Sequence, residues 1–181
     1  HTAYRRQRQM CIRDRDQRSR IGDWEINTII GAHHQGVLLS LVERKSRLCL
    51  IARLANKSAQ EVERTTINLL DSIKEKVHTV TSDNGKEFAK HESIAKNLDA
   101  KFFFAHPYAS WERGLNENTN GLIRQYFPKK TQFNHISDQQ VQSVMEKLNN
   151  RPRKCLGMKT PNQVFLKAVS YTHLTLPTIC S

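Results

Sequence analysis

The pattern of hydrophobic and polar positions along the chain predicts five strands. Apolar runs rich in β-branched and aromatic residues, bounded by glycine, proline or polar turns, are typical of strands. Such runs lie at 26–30, 37–42, 46–54, 77–85 and 101–105. Because the connections among the first three runs are short, with Gly31 and Gly36 between the first two, an antiparallel arrangement is favoured there.

Hydrophobic residues recur at helical spacing in the segments between and after the later strands. The first predicted helix begins at Ser58, where Glu61 forms a capping box, and runs to about residue 76. The other helices are predicted at 86–98, at 115–126, at 137–150 with a second capping box between Ser137 and Gln140, and from Thr160-Pro161 onward. The order β-β-β-α-β-α-β-α-α, followed by the final short helix, indicates an α/β fold with a mixed sheet flanked by helices.

The two ends of the chain differ from the segment between them. Residues 5–14 read RRQRQMCIRD, and the reverse complement of one set of codons for them translates as VSYTHLTLPT, which is residues 169–178. That DNA resembles the adapter used in transposon-based sequencing libraries. We therefore interpret 1–15 and 169–181 as adapter-derived, disordered tails, and 20–166 as one domain. A genuine inverted repeat at the ends of a mobile element is the alternative.

Charge and composition narrow the classes of function. The 181 residues include 29 Lys and Arg against 17 Asp and Glu, a formal net charge of +12. A basic domain favours nucleic acid as a partner, although the same charge can serve solubility alone. No apolar run reaches the roughly 20 residues of a membrane helix and no signal peptide opens the chain, so we expect a soluble intracellular protein. The cysteines form no CxxC pair, and Cys49 is expected to be buried and reduced.

Two stretches contain polar residues at predicted strand ends. The sequence SDNG places Asp83 at the carboxyl end of a strand, where α/β sheets bind ligands and where a carboxylate can hold a divalent ion. An ordinary Asp-Asn-Gly turn explains the same residues without any function. In GDWEINTIIG, residues 22–31, Asn27 lies in the first strand and follows Asp23 and Glu25.

The stretch WERGLNENTNGLIRQYFPKK, residues 111–130, combines one acid, Glu117, with amides, cations and aromatic rings. Such side chains read base edges, neutralise phosphates and stack on bases. A polar surface helix is the alternative, but two glycines and several asparagines give poor helix propensity, which favours a functional role. The candidate DNA contacts are Trp111, Arg113, Asn116, Asn118, Asn120, Arg124, Lys129 and Lys130. The basic turn RPRK, 151–154, is either a phosphate contact or a solvated linker.

Several stretches together resemble the catalytic core of bacterial insertion-sequence transposases of the family numbered thirty. They are GDWEINTIIG, LVERKSR, TSDNGKEF, HPYASWERGLNENTNGLIRQYFPKK and LNNRPRKCLGMKTPNQVF. The resemblance implies an RNase H-like fold with a mixed five-stranded sheet, shared with retroviral integrases. It also implies a bacterial, cytoplasmic protein that acts on element ends and target DNA and can form a homo-oligomer on that DNA.

The family uses three acids, a DDE triad, and the resemblance implies a site for two Mg²⁺ or Mn²⁺ ions. By position, the second acid is Asp83, the third is Glu117, and the first falls on Asn27, where the family has Asp. An amide is neutral and a weaker metal ligand, so we expect impaired catalysis. Glu25 shares the strand face, but a shift of two residues moves a ligand by about 7 Å. Glu25 is therefore expected to support a neighbouring group or to face solvent.

Three functions follow as hypotheses. The first is metal-dependent DNA cleavage and strand transfer, weak or absent in this fragment because no helix-turn-helix region of the kind found in this family precedes residue 20. The second is a catalytically dead module that binds DNA non-specifically. The third is an RNase H-type nuclease. A single G-to-A change converts an Asp codon into an Asn codon, so Asn27 fits a decaying element, a deliberate trap and a sequencing error alike.

Overall fold

The structure is a computed structural model that describes residues 20–106 and 114–171. The strands are β1 Asp23–Ile30, β2 Val37–Glu43, β3 Cys49–Leu54, β4 Thr79–Ser82 and β5 Lys101–Phe104. The helices are α1 Ala59–Leu70, α2 His91–Leu98, α3 Gly114–Tyr126, α4 Asp138–Asn149 and α5 Pro161–Tyr171. None of these helices is long and apolar enough to cross a bilayer.

The five strands form one sheet in the order β3-β2-β1-β4-β5. Strand β2 is antiparallel to both β1 and β3, whereas β4 is parallel to β1 and β5 is parallel to β4. The predicted mixed five-stranded α/β fold is therefore confirmed. The chain leaves β1 toward β2 on one side and reaches β4 on the other, so the strand order reverses between β1 and β4, the position at which α/β sheets form a ligand-binding crevice.

Each face of the sheet is covered by its own hydrophobic cluster. On one face, Trp24 and Ile26 pack with residues of α1, α2 and α5. On the other face, Ile29 packs with residues of α3 and α4, among them Ile123 and Val144. Because side chains alternate along a strand, the odd-numbered residues of β1, Asn27 included, point toward α3 and α4.

Some predicted boundaries differ from those of the structure. Helix α1 ends at Leu70 and a 3-10 turn follows from Asp71 to Lys76, because Ile73 has the non-helical angles φ −124° and ψ 18°. Strand β3 begins at Cys49 and not at residue 46, since a turn with Arg47 at φ 66° precedes it. The segment predicted as a helix over 86–98 divides into a 3-10 turn, Lys86–Phe88, and helix α2.

The two predicted capping boxes have different outcomes. At α4 the box is complete, with Ser137 Oγ accepting from Gln140 N and Gln140 Oε1 accepting from Ser137 N. At α1 only half forms, since Ser58 Oγ accepts from Glu61 N while the Glu61 carboxylate pairs with Arg64 at 2.8 Å. A long cation one helical turn away competes for the carboxylate that the box requires.

Helix α5 continues to Tyr171 and so enters the range 169–181 that we interpret as a tail. Val169 packs against the cluster that contains Trp24 and Phe165. No glycine or proline interrupts the helix before residue 171, so the helix passes the proposed boundary. Residues 1–15 and 172–181 lie outside the part of the chain that the structure describes, and the tail assignment stays a prediction.

Cys49 is buried, and burial raises the pKa of its thiol to about 12. Cys155 is exposed. With Cys11 and Cys180 replaced by serine, a thiol reagent at pH 8 is expected to label Cys155 readily and Cys49 only after unfolding, because about one Cys49 thiol in ten thousand is ionised at that pH. Mass spectrometry of the native and denatured protein counts the labels. Two labels on the native protein would contradict this placement of β3.

Candidate active site

Asn27 lies within β1, beyond its last residue paired with β4, and Asp83 is the first residue after β4. The register of β1 and β4 ends with Glu25 opposite Thr81, and Asn27 and Asp83 each follow two residues after that pair. Paired residues share a face here, since Thr79 Oγ1 donates a hydrogen bond to Asp23 Oδ1 at 2.7 Å. Neighbouring strands are about 4.8 Å apart, so the amide and the carboxylate face the same crevice.

The turn after β4 brings two carboxylates close to Gly85. Gly85 N donates to Asp83 Oδ1 at 3.1 Å, which forms the turn expected of Asp-Asn-Gly. A Cβ at residue 85 would lie 2.5 Å from Glu87 Oε2 and 2.9 Å from Asp83 Oδ1, too close for either atom. The absence of a side chain at Gly85 therefore lets the carboxylates of Asp83 and Glu87 approach the same point.

Glu87 lies beside the Asp83 turn, on the face of the sheet covered by α1, and the sequence analysis did not select it. Its carboxylate is mostly buried, and Oε1 accepts from Thr28 Oγ1 at 2.9 Å and pairs with Lys57 Nζ at 2.9 Å. Burial raises the pKa of Glu87, but the hydrogen bonds from Lys57 and Thr28 outweigh that effect and hold the pKa below its usual range. Glu87 is thus an ionised group that ties the turn after β4 to β1.

Helix α3 is held against β1 and β2 by two asparagines. Asn116 Nδ2 donates to Ile26 O at 3.4 Å, and Asn120 Oδ1 accepts from Ser40 Oγ at 3.4 Å. Ser40 is the β2 residue paired with Asn27. Glu117 lies on α3 between these asparagines and is exposed. The helix that carries Glu117 therefore crosses β1 beside Asn27.

Glu25 does not face solvent, and that alternative from the sequence analysis is corrected. Its side chain is fully buried under α3, where Oε2 accepts from Asn116 N at 3.1 Å. Arg44 Nε lies 3.5 Å from Oε1, and Arg44 is buried as well. The other alternative, support of a neighbouring group, fits these contacts, because the group that Glu25 holds is the first turn of α3.

Two of the candidate DNA contacts are engaged inside the protein. Asn116 is 2% exposed, and its side chain bonds to β1, so its proposed contact with DNA is corrected. Arg124 Nη2 donates to Ile30 O at 2.7 Å, and its guanidinium lies over the ring of Phe133 at 5.2 Å from the centroid. Burial lowers the pKa of Arg124. Arg124 thus fastens the end of α3 to β1.

The remaining candidates divide by exposure. Asn118, Lys129 and Lys130 are exposed, as a DNA contact requires, whereas Asn120 is half-buried. Trp111 and Arg113 lie outside the described residues. In the basic turn at 151–154, the two arginines differ. Arg151 is exposed, whereas Arg153 Nη2 donates to Leu148 O at 3.1 Å, so the choice between a phosphate contact and a solvated linker stays open.

The donor set fits one divalent ion better than two. Asp83 and Glu117 would supply carboxylates and Asn27 an amide oxygen, all of them hard donors of the kind that Mg²⁺ and Mn²⁺ prefer. Within residues 20–106 and 114–171, no three Asp, Glu, His or Cys side chains form a group that could hold a metal. The two carboxylates together carry a charge of −2. That charge balances one divalent ion, but only half of the charge of two.

The domain has the fold of integrase catalytic cores. The catalytic core domain of BIV integrase superposes with a TM-score of 0.64 at 19% identity, covering 83% of this chain and 97% of that one. A chain of the simian T-cell lymphotropic virus intasome bound to PP2A regulatory subunit B56 gamma gives 0.67 at 15% identity, with 88% and 56% covered. The predicted RNase H-like fold is confirmed.

Sequence similarity then gives the family, although no protein-family model matches the chain. The transposase of insertion sequence element IS4351 from Bacteroides fragilis is 49% identical over 153 residues, 84% of this chain. The InsI transposase of IS30A from Escherichia coli K12 is 38% identical over 161 residues, 88% of this chain. These relatives are IS30-family transposases and match over most of the chain, so the resemblance is confirmed. The chain spans 47% and 42% of the length of those two relatives.

Proposed function

We propose that the chain is the catalytic core of a DNA transposase whose site comprises Asn27, Asp83 and Glu117. One observation carries this proposal. Asn27 and Asp83 each lie two residues beyond the last paired residues of the parallel strands β1 and β4, and α3, which bears Glu117, crosses β1 at the same place. The reaction is DNA cleavage and strand transfer, and Asn27 impairs it.

The proposed site assigns a role to each group. Asp83 and Glu117 would hold Mg²⁺ or Mn²⁺ with their carboxylates, and Asn27 would add a neutral oxygen. The bound ion would polarise the phosphoryl group and activate the attacking water or 3′-hydroxyl. Gly85 and Glu87 keep the turn after β4 in place, so that Asp83 faces the crevice.

A DNA-binding module without catalysis is the second candidate, and Asn27 is the observation that favours it. Nicking and strand-transfer assays with Mg²⁺ or Mn²⁺ on the chain and on Asn27→Asp separate the two. Activity in both proteins supports an enzyme, and activity only after the substitution supports a core disabled at position 27. Inactivity of both proteins, with DNA binding retained, supports the binding module.

The exposed lysines at the end of α3 are expected to bind DNA phosphates. Replacing Lys129 and Lys130 by alanine should weaken binding to any duplex sequence and lower the slope of log Kd against log salt by about two, because each lost phosphate contact removes about one released counterion. Fluorescence anisotropy at several salt concentrations measures the slope.

The matched control replaces Lys74 and Lys96, which are equally exposed on the side of the sheet covered by α1 and α2. That variant carries the same change of net charge, so it should keep the original slope. Equal loss in both variants would mean that the overall charge, and not the surface beside α3, determines binding.

A further inference from the structure

We propose that Glu25 and Arg44 form a buried pair that positions α3, and with it Glu117, against the ends of β1 and β4. Glu25 and Arg44 are then positioning residues, since both act through the helix. The inference rests on the proposed function in one respect, that Glu117 is a catalytic residue. The contact between the pair and α3 is independent of it.

Burial of this pair is not explained by stability alone. The side chains of Glu25 and Arg44 are 1% and 7% exposed, and Arg44 Nε lies 3.5 Å from Glu25 Oε1. Taking two charges out of water is costly, and well-packed apolar side chains of similar volume are often at least as stabilising. A role that requires charged or hydrogen-bonding groups therefore explains the buried pair better than stability does.

That role is to accept a hydrogen bond from the first turn of α3. The first backbone N–H groups of a helix have no partner within the helix, and a carboxylate there is favoured by the helix dipole. Glu25 Oε2 accepts from Asn116 N at 3.1 Å, and Asn116 Nδ2 donates to Ile26 O at 3.4 Å. Two directional contacts thus fix the residue that immediately precedes Glu117.

Arg44 is itself fixed by the turn that follows β2. Arg44 N donates to Asp23 O at 2.9 Å. The neighbouring carboxylate of Glu43 is fully buried and accepts from Gly22 N at 3.0 Å and from Ser46 N and Ser46 Oγ, each at 2.6 Å. This network makes the turn a rigid support, so the position of Arg44 determines where Glu25 and the first turn of α3 lie.

The test uses three variants in the Asn27→Asp background. Glu25→Leu with Arg44→Met removes both charges while keeping the volume. Glu25→Gln keeps an oxygen that can accept from Asn116 N. Asp23→Asn is the matched control, because Asp23 is a buried carboxylate on the same face of β1 that bonds to Thr79 and Arg20. Thermal unfolding, hydrogen exchange over residues 114–117 and the rate of metal-dependent DNA nicking are measured for each.

The double variant is expected to keep the unfolding temperature of its parent, to exchange the amides at 114–117 faster, and to nick DNA at least about tenfold more slowly. A purely structural role would not separate stability from rate in this way. Glu25→Gln should lose less than the double variant, and Asp23→Asn should leave the exchange at 114–117 unchanged.

The contradicting outcomes are distinct. Unchanged exchange at 114–117 in the double variant overturns the proposal, whatever the nicking rate. Faster exchange with an unchanged nicking rate overturns the part that concerns Glu117. If the double variant does not unfold cooperatively, amide exchange at 114–117 is compared between Glu25→Gln and Asp23→Asn instead. Equal exchange in these two variants then overturns the proposal. An Asn27→Asp parent without activity counts against the proposed function, while the exchange comparison still decides whether the pair positions α3.

Discussion

Replacing Asn27 by aspartate is expected to raise metal-dependent DNA nicking by a factor on the order of 100 or more. Groups that only hydrogen-bond to metal ligands change metal affinity or activity by about 10- to 100-fold, and a direct ligand should have at least that effect. The substitution is nearly isosteric, so the pairing of Asn27 with Ser40 is retained. The added negative charge is expected to lie near Asp83, where it would help to balance the positive charge of bound metal ions.

The measurement is the rate of plasmid nicking at increasing Mg²⁺ or Mn²⁺ concentration, with metal binding followed by calorimetry. Asn97→Asp is the control, since it adds the same charge to an exposed position of α2, which has no role in the proposed site. A gain only in Asn27→Asp supports a site at the ends of β1 and β4. An equal gain in both variants, or none in Asn27→Asp while DNA binding persists, would contradict the assignment of residue 27.

The elements themselves could be predicted because their periods are local properties of the sequence. The ends of the elements could not, since the same pattern fits more than one backbone. Residues 71–76 continue the helical spacing of α1, yet Ile73 leaves helical angles as the chain turns toward β4. The partner of Glu61 was similarly undecided, because Ser58 and Arg64 are both within reach of its carboxylate.

The contacts that build the candidate site join residues far apart in sequence. Glu25 and Asn116 are separated by 91 positions, and Thr28 and Glu87 by 59. Strand periodicity places Glu25 on the face of Asn27, but it contains no information about the helix that covers that face. The position of Glu25 in its strand was therefore predictable, whereas the pairing with α3 was not.

One signal for Asn116 was present in the sequence. Asn116, Thr119 and Ile123 are three and four residues apart, so they share a stripe of α3, and all three are buried. This stripe distinguishes the buried Asn116 from the exposed Asn118, although both are asparagines of the same helix. Arg124 shows a related limit, because a guanidinium binds backbone carbonyls and an aromatic face as readily as it binds phosphate.

In the Asn27→Asp background, Asp83→Asn and Glu117→Gln are each expected to return nicking to the level of the unsubstituted chain, a loss on the order of 100-fold or more. Neither change should unfold the protein. An asparagine at residue 83 can still accept from Gly85 N through its side-chain oxygen, and Glu117 is exposed. Single-turnover nicking and thermal unfolding measure the two effects separately.

Asp99→Asn is the control for both substitutions. Asp99 is exposed and has φ 50°, a left-handed conformation that asparagine adopts readily, so its replacement should change neither rate nor stability. The combined Asp83→Asn and Glu117→Gln variant tests whether the two carboxylates act together. When two groups act together at one site, removing either of them removes the contribution of both. The loss of nicking rate in the combined variant should therefore equal the loss in either single variant. Losses that multiply would mean that Asp83 and Glu117 act at separate places, and the site proposed at the ends of β1 and β4 would then be wrong.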